Sequence, residues 1–162
     1  MSLLDMDERI LKVVELADLR STPITDMKEP DASGVDVGVL EGAINNTANE
    51  EVAHKFRQRS KILVALGDCA VFGGVPAMRN FCGVKEALQR AYVDAESNEP
   101  GSQIPNDPEL ATMTKTRAIQ EVVPVDYNVP GCPPDADVIF YVLSELAQGR
   151  KPVLKNELLH WH

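Results

Sequence analysis

The chain has few basic side chains for its size. Its 16 lysines and arginines are outnumbered by 25 aspartates and glutamates, which gives a formal net charge of −9. Nucleic acids and anionic lipid surfaces bind basic protein surfaces, so this balance excludes a protein whose main partner is either of them. No run of eighteen apolar residues occurs, and the sequence therefore predicts no membrane-spanning helix.

Cysteine is also scarce, and its small odd number argues against a disulfide framework. Three thiols cannot all pair, and they are widely spaced along the 162 residues. We therefore expect a reducing compartment, the cytoplasm, in which the thiols are free for a metal or for packing. A C-x-x-C pair, a phosphate-binding loop and a dinucleotide fingerprint are missing too, and no Ser-His-acid arrangement stands out. The chain alone does not have the features of a complete enzyme.

What the sequence does contain is an alternation of helix-like and strand-like segments. Apolar residues at helical spacing predict helices over Leu3–Leu19, Asn49–Arg59, Val75–Ala95 and Pro133–Gly149. Short apolar runs bounded by turn residues predict strands over Val35–Leu40, Lys61–Leu66 and Glu121–Asn128. This order indicates an α/β fold with an open parallel sheet and helices on both faces. We assign residues 1–150 to this domain and residues 151–162 to a C-terminal tail.

Three side chains with useful chemistry follow the three predicted strands. Glu41, Cys69 and Cys132 each come at, or just after, the carboxyl end of a different strand. The carboxyl ends of parallel strands meet at one edge of the sheet, which is where open α/β sheets bind ligands. We therefore expect these three residues to come together at that edge.

Both cysteines lie in loops that are rich in glycine and proline. Cys69 belongs to G-D-C-A-V-F-G-G-V-P-A-M-R-N (residues 67–80), and Cys132 belongs to V-P-G-C-P-P-D (residues 129–135). Glycines that would let inorganic sulfide approach a thiolate flank both of them: Gly67, Gly73, Gly74 and Gly131. The residues alone leave two interpretations open. Either the pair binds an iron–sulfur cluster, or both cysteines are buried as small apolar side chains.

The other candidate ligands are less well placed. Cys82 lies inside a predicted helix and not in a loop after a predicted strand, so we expect it to pack rather than to bind a metal. His54 lies on a polar helix face and is expected to be solvated, whereas His160 and His162 belong to a frayed or docking tail. A zinc site is disfavoured, because two cysteines in distant loops would need two more ligands that no motif supplies.

The two cysteine motifs resemble the small subunit of [NiFe]-hydrogenases. The opening S-L-L-D-M-D-E-R-I-L and the V-L-E-G around Glu41 resemble it as well, so the likeness covers nearly the whole chain. The type it resembles is the cytoplasmic, NAD-linked bidirectional one. The P-G-C-P-P segment is shared with the homologous 20 kDa cluster-binding subunit of respiratory complex I, whereas G-G-V-P-A-M-R-N favours hydrogenase.

The resemblance implies a flavodoxin-like domain that holds a proximal [4Fe–4S] cluster beside the NiFe centre of a separate large subunit. Cys69 and Cys132 would be the third and fourth cluster ligands, and Glu41 would lie near the subunit interface as a proton relay. Electrons would pass to a diaphorase module that carries FMN and NAD. In the family a first strand and the first two cysteine ligands precede the opening helix. We therefore expect the first strand to be missing here and the other two ligands to lie upstream of Met1.

Two further functions stay open on the sequence. One is a complex I-like subunit that passes electrons to a quinone, and the other is a cluster-free scaffold that only docks to a partner. The identity of the large partner subunit separates the first from a hydrogenase, and iron and sulfide analysis separates the second.

Overall fold

A computed structural model of the chain describes residues 4–22, 30–155 and 158. Its strands are β1 (Val35–Glu41), β2 (Ile44–Asn46), β3 (Ser60–Leu66), β4 (Met113–Arg117) and β5 (Tyr127–Val129). Its α-helices are α1 (Arg9–Leu16), α2 (Thr47–Arg59), α3 (Asp68–Phe72), α4 (Val84–Tyr92) and α5 (Ala136–Ala147). Short 3-10 helices cover Leu4–Met6, Val75–Phe81 and Ile119–Glu121.

The main sheet is parallel and has the strand order β1-β3-β5, with β3 in the centre. The sequence of β3, S-K-I-L-V-A-L, is a nearly continuous apolar run, which suits a strand covered on both faces. Successive side chains of a strand point to opposite faces, so β3 contributes to two cores. The first core contains Ile44, Ala53, Leu63, Ala65, Ala70, Val71, Ile119 and Val123. The second contains Val64, Val129, Val138, Val142 and Leu146.

Helices cover both faces of this sheet, as predicted. On the second core lies α5, which begins where Asp135 accepts a hydrogen bond from the N–H of Asp137 at 2.7 Å. Helix α1 packs against α5, where Arg9 pairs with Asp137 and lies over the Phe140 ring. On the opposite face, α2 and α3 contribute to the first core. Among the described helices, none combines the length and the apolar character needed to cross a bilayer.

The predicted strand Glu121–Asn128 is wrong over most of its length. A 3-10 turn covers Ile119–Glu121, and only Tyr127–Val129 pairs with β3. Two backbone bonds to Ile119 O, from the N–H groups of Val122 and Val123, close the turn. Pro124 follows, and it has no N–H to donate to a ladder. The strand can therefore begin only after it.

The predicted helix Val75–Ala95 is also divided. Its first part is the 3-10 helix Val75–Phe81, and α4 begins only at Val84. The division has a tertiary cause, because the Asn80 amide bonds both backbone groups of Thr116 in β4, at 2.8 and 2.9 Å. A side chain that pairs with a strand edge in this way holds its segment against the strand. The segment therefore cannot continue in line with α4.

Three elements have no sequence prediction at all. The strands β2 and β4 form a separate antiparallel pair, and α3 follows the end of β3 after a single glycine. The sequences of β2 and β4, I-N-N and M-T-K-T-R, are short and mostly polar. They lack the apolar alternation by which a strand is detected.

An acid-sensitive contact joins β3 to the segment before β5. Asp126 Oδ2 accepts the N–H of Leu63 at 2.8 Å and Arg57 Nη1 at 2.6 Å, while the N–H of Asp126 donates to Leu63 O at 2.9 Å. Partial burial raises the pKa of Asp126, but the two hydrogen bonds and the Arg57 charge outweigh it and lower the pKa.

Because the folded-state pKa is lowered, the Asp126 contact stabilises the protein above the ordinary carboxyl pKa of about 4 and is lost as the pH falls through the lowered value. We expect Asp126→Asn to reduce the free energy of unfolding at pH 7 by about 1 kcal/mol. The difference from the wild type should shrink below about pH 4. Urea unfolding between pH 3 and pH 7 measures it, with Glu51→Gln, which changes an exposed carboxylate on α2, as control. A difference that stays constant down to pH 3 contradicts this account.

Candidate functional site

The carboxyl ends of the three parallel strands lie in one row. The register pairs Glu41 of β1 with Leu66 of β3, and Leu66 with Val129 of β5. Cys69 and Cys132 each follow this row by three residues. The strand register therefore places both cysteine loops at one edge of the sheet, as expected from the sequence.

The two cysteine loops are joined directly to each other. Beyond the last strand pair, the N–H of Gly67 donates to Val129 O at 2.7 Å, and the N–H of Asp68 donates to Gly131 O at 2.9 Å. In return, the N–H of Gly131 donates to Asp68 Oδ1 at 2.7 Å. The residue before Cys69 and the residue before Cys132 are thus connected by two hydrogen bonds.

Cys69 lies in the first turn of α3 and has a free, half-buried thiol. The helix ends where the N–H of Gly73 donates to Cys69 O at 3.0 Å, with Gly73 at a φ of +86°. The next residue, Gly74, has a φ of +51° and passes close to the cysteine. A Cβ on Gly74 would lie 2.9 Å from Cys69 Sγ and 3.0 Å from its Cα. Only glycine fits beside this thiol.

Cys132 has a free, exposed thiol in the loop after β5. Its neighbour Gly131 has a φ of +135°, and a Cβ there would lie 2.5 Å from Pro134 Cα. In the facing loop, a Cβ on Gly67 would lie 3.6 Å from Gly131 O, which is an ordinary contact distance. Gly67 nevertheless favours glycine, because its φ of +87° is one that residues with a Cβ rarely adopt. The interpretation that both cysteines are buried apolar side chains is wrong for Cys132.

Glu41 is exposed at the last position of β1. Its row partner Leu66 belongs to the central strand, whose following loop carries Cys69. Gly42 follows Glu41 with a φ of +78°, and a Cβ on it would meet nothing within 4 Å. The carboxyl group therefore stands at the same sheet edge as the two thiols, on an open surface.

The remaining candidates lie away from this edge or outside the described residues. Cys82 is exposed rather than packed, and its Sγ bonds Arg79 O at 3.3 Å. That prediction is wrong because the break between Phe81 and α4 turns the residue out of the core. His54 is exposed on α2, as predicted. His160 and His162 lie outside the described residues.

The donor set at this edge fits part of a cubane cluster. Such a cluster takes four cysteine thiolates, and the joined loops supply two free thiols, each beside a glycine turn of close-packed backbone. Within residues 4–22, 30–155 and 158, no group of three or more His, Cys, Asp and Glu side chains is arranged to hold a metal ion. Cys69 and Cys132 can therefore hold one side of a cluster, and the other side needs further ligands.

Sequence reasoning missed an exposed apolar patch that follows Cys69 along the chain. We call it the apolar patch, and it consists of Phe72, Val75, Met78 and Phe81, all of them exposed. These residues recur every third position, and the 3-10 helix Val75–Phe81 has about three residues per turn, so its apolar side chains share one face. Phe81 is 93% exposed. The three-residue spacing was the available signal, but it matches neither α-helical nor strand periodicity.

The chain was also compared with known proteins. Residues 1–146 match the family model described as the 20 kDa subunit of NADH ubiquinone oxidoreductase. The chain is 42% identical to the delta subunit of the NAD-reducing hydrogenase HoxS of Cupriavidus necator, over 93% of this chain and 73% of that protein. It is 36% identical to a subunit of the F420-non-reducing hydrogenase of Methanothermobacter marburgensis, over 93% of this chain and 50% of that one.

The fold is similar to that of a solved hydrogenase. In the crystal structure of an NAD⁺-reducing [NiFe]-hydrogenase in the H2-reduced state, the matched chain superposes with a TM-score of 0.94 and 39% identity, covering 100% of this chain and 90% of that one. The chain spans about half the length of the archaeal hydrogenase proteins that it matches. By sequence and by fold, the chain belongs to the family of the 20 kDa subunit of NADH ubiquinone oxidoreductase, and its relatives in that family are hydrogenase subunits.

Proposed function

We propose that the chain is the electron-transfer small subunit of a multimeric [NiFe]-hydrogenase. In this proposal Cys69 and Cys132 are two of the four ligands of a [4Fe–4S] cluster. The observation that carries it is the pair of free thiols in two hydrogen-bonded loops at the carboxyl edge of the sheet. The similarity to hydrogenase subunits supports the same assignment.

The residues around the thiols suit this role. When bound, a cluster accepts and gives up single electrons, and its surroundings set its potential. Gly74 lets the backbone pass directly against Cys69, and Gly131, at a φ that only glycine adopts readily, brings the Cys132 loop across the end of β3. The chain has three cysteines in all, and Cys82 forms no three-ligand group with the other two among the described residues, so the two further thiolates are not supplied by these 162 residues.

The apolar patch suits the partner that this function requires. Aromatic side chains and methionine are enriched in the cores of protein interfaces, and an anchor such as Phe81 is typical of such surfaces. The patch begins three residues after Cys69, so a subunit docked on it lies beside the cluster ligands. We assign the patch to the hydrogenase large subunit, which holds the NiFe centre. A diaphorase module with FMN and NAD is the second partner, and the cytoplasm is the proposed location.

The test is co-purification and metal analysis. The complete subunit is expressed with a NiFe-binding large subunit, and the purified complex is analysed for iron, sulfide and electron paramagnetic resonance after H2 reduction. We expect about five iron, four from the cluster and one from the NiFe centre, and about four sulfide per complex of one small and one large subunit, with a signal that appears on reduction. A complex without inorganic sulfide, and without iron beyond that of the NiFe centre, indicates the cluster-free scaffold. A cluster that is reduced only with a partner lacking the NiFe ligands indicates the complex I-like subunit.

Glu41 is proposed as a proton relay at the subunit interface. In the complete enzyme we expect Glu41→Gln to lower H2 turnover about tenfold or more, because an amide cannot take up and release a proton as a carboxyl group does. The iron content should stay unchanged, since Glu41 stands on the strand end and not in a cysteine loop. Glu51→Gln, an exposed change on α2, is the matched control. Unchanged turnover in Glu41→Gln removes this role.

A further inference from the structure

A side chain that the sequence analysis did not single out connects the two cysteine loops. Asp68 directly precedes Cys69, and Gly131 directly precedes Cys132. The N–H of Asp68 donates to Gly131 O at 2.9 Å, and Asp68 Oδ1 accepts the N–H of Gly131 at 2.7 Å. The ladder between β3 and β5 ends at Leu66 and Val129, so the carboxylate pairs an N–H group that the sheet no longer reaches.

Without this carboxylate, the backbone bond from Asp68 to Gly131 O would still join the two loops, but the N–H of Gly131 would lose its acceptor. Gly131 itself does not stiffen the loop, because glycine has the widest range of backbone angles. A cluster is a rigid body, so its ligands have to meet it at fixed separations. Rotation about one backbone bond next to Cys132 moves its sulfur. The side-chain bond at Gly131 is therefore at the position where it restrains the distance between the two thiolates most directly.

The negative charge of Asp68 would also affect the reduction potential of a cluster bound by the two cysteines. Reduction adds a negative charge to the cluster, and a carboxylate one residue from a ligand repels that charge. With a cluster bound, the carboxylate would favour the oxidised form and lower the potential, since charge and hydrogen bonding near the sulfurs set cluster potentials.

We propose that Asp68 is a positioning residue of the cluster site, fixing the Cys132 loop against Cys69 through the N–H of Gly131 and lowering the cluster potential by its charge. The inference rests on the proposed function, in which the two cysteines are ligands. It assigns a role to a residue that is not itself a ligand.

Two substitutions separate the hydrogen bond from the charge. Asp68→Asn keeps an oxygen acceptor in place for Gly131 and removes the charge, whereas Asp68→Ala removes both. Each is made in the complete complex with the large subunit. The midpoint potential, the paramagnetic resonance spectrum of the reduced cluster and the rate of iron loss to a chelator are measured.

Both variants should have a more positive midpoint potential. We expect about a tenfold change in the equilibrium constant for reduction, which is 59 mV for one electron. Only Asp68→Ala should also broaden the spectrum and lose iron about fivefold faster, the factor that one ordinary hydrogen bond corresponds to. Asp68→Asn should keep the wild-type spectrum and rate. Asp36→Asn, a carboxylate at the opposite end of the sheet, is the control and should change none of the three readings.

An unchanged potential in Asp68→Asn, or equal iron loss from the alanine and asparagine variants, overturns the role of Asp68. Should Asp68→Ala not assemble, the potential and spectrum of Asp68→Asn still decide, because that variant keeps the hydrogen bond. A wild-type complex without any cluster overturns the proposed function and this inference together. If the wild type has a normal cluster and the Asp68 variants change none of the three readings, the inference alone is overturned.

Discussion

Replacing either Cys69 or Cys132 with serine is expected to remove the cluster from the assembled enzyme, and with it hydrogen-dependent electron transfer. A serine hydroxyl is a far weaker ligand for iron than a thiolate, and the described residues hold no spare thiol near the loops. We expect at least about a hundredfold loss of H2-dependent acceptor reduction and a fall in iron content of more than half. Iron and sulfide analysis and the resonance signal of the reduced complex measure both.

Cys82→Ser is the matched control, since it is the same substitution at the third thiol. Cys82 is exposed, and its Sγ donates to the nearby carbonyl oxygen of Arg79. Its iron content and activity should equal those of the wild type. Cluster loss in Cys82→Ser to the same extent as in Cys69→Ser would show that the ligand assignment is wrong.

The second large effect is expected from Gly131→Ala. A Cβ at this position would lie 2.5 Å from Pro134 Cα, which is backbone and cannot move aside as a flexible side chain does. The φ of +135° is also one that residues with a Cβ rarely adopt. Together, the clash and the strain should lower the free energy of unfolding by about 3 kcal/mol. Urea unfolding followed by circular dichroism measures this change, and cluster content in the complex should fall with it.

Gly83→Ala is the control for this substitution. Gly83 has a φ of −67°, and a Cβ on it would meet nothing within 4 Å, so neither clash nor strain arises. Its free energy of unfolding should change by less than about 1 kcal/mol. If the two variants unfold at the same urea concentration, the tight packing at Gly131 does not contribute to stability.

The alternation of elements was readable because local patterns determine it. The apolar run of β3 and the amphipathic spacing of α5 each report burial directly, and both elements form where they were predicted. The carboxyl-edge position of the cysteine loops followed from topology alone, because parallel strands must end on one side. The prediction of secondary structure failed where contacts between distant segments determine the conformation. The bond from Asn80 to Thr116 joins residues 36 positions apart and divides a segment whose own pattern is helical.

The candidate site also has features that the sequence shows and features that only the structure shows. Cysteines beside glycines are visible in the sequence, since composition shows which ligands exist and which positions have no side chain. The carboxylate bond that joins the two loops is invisible there, because Asp68 and Gly131 are 63 residues apart. A lone aspartate before a cysteine has no distinguishing pattern. The apolar patch was missed for a related reason, since its three-residue spacing becomes one face only once the segment is a 3-10 helix.

The sequence by itself therefore determined the parallel α/β class, the two cysteine loops and the sheet edge at which they meet. These features depend on side-chain chemistry and on periodicity within single segments. Only the tertiary structure decided that the loops are bonded to each other through Asp68, that Cys82 is exposed, and that four apolar side chains following Cys69 along the chain are exposed. The physical reason is that hydrogen bonds and burial between distant segments depend on the position of each partner in space, and local pattern does not contain that position.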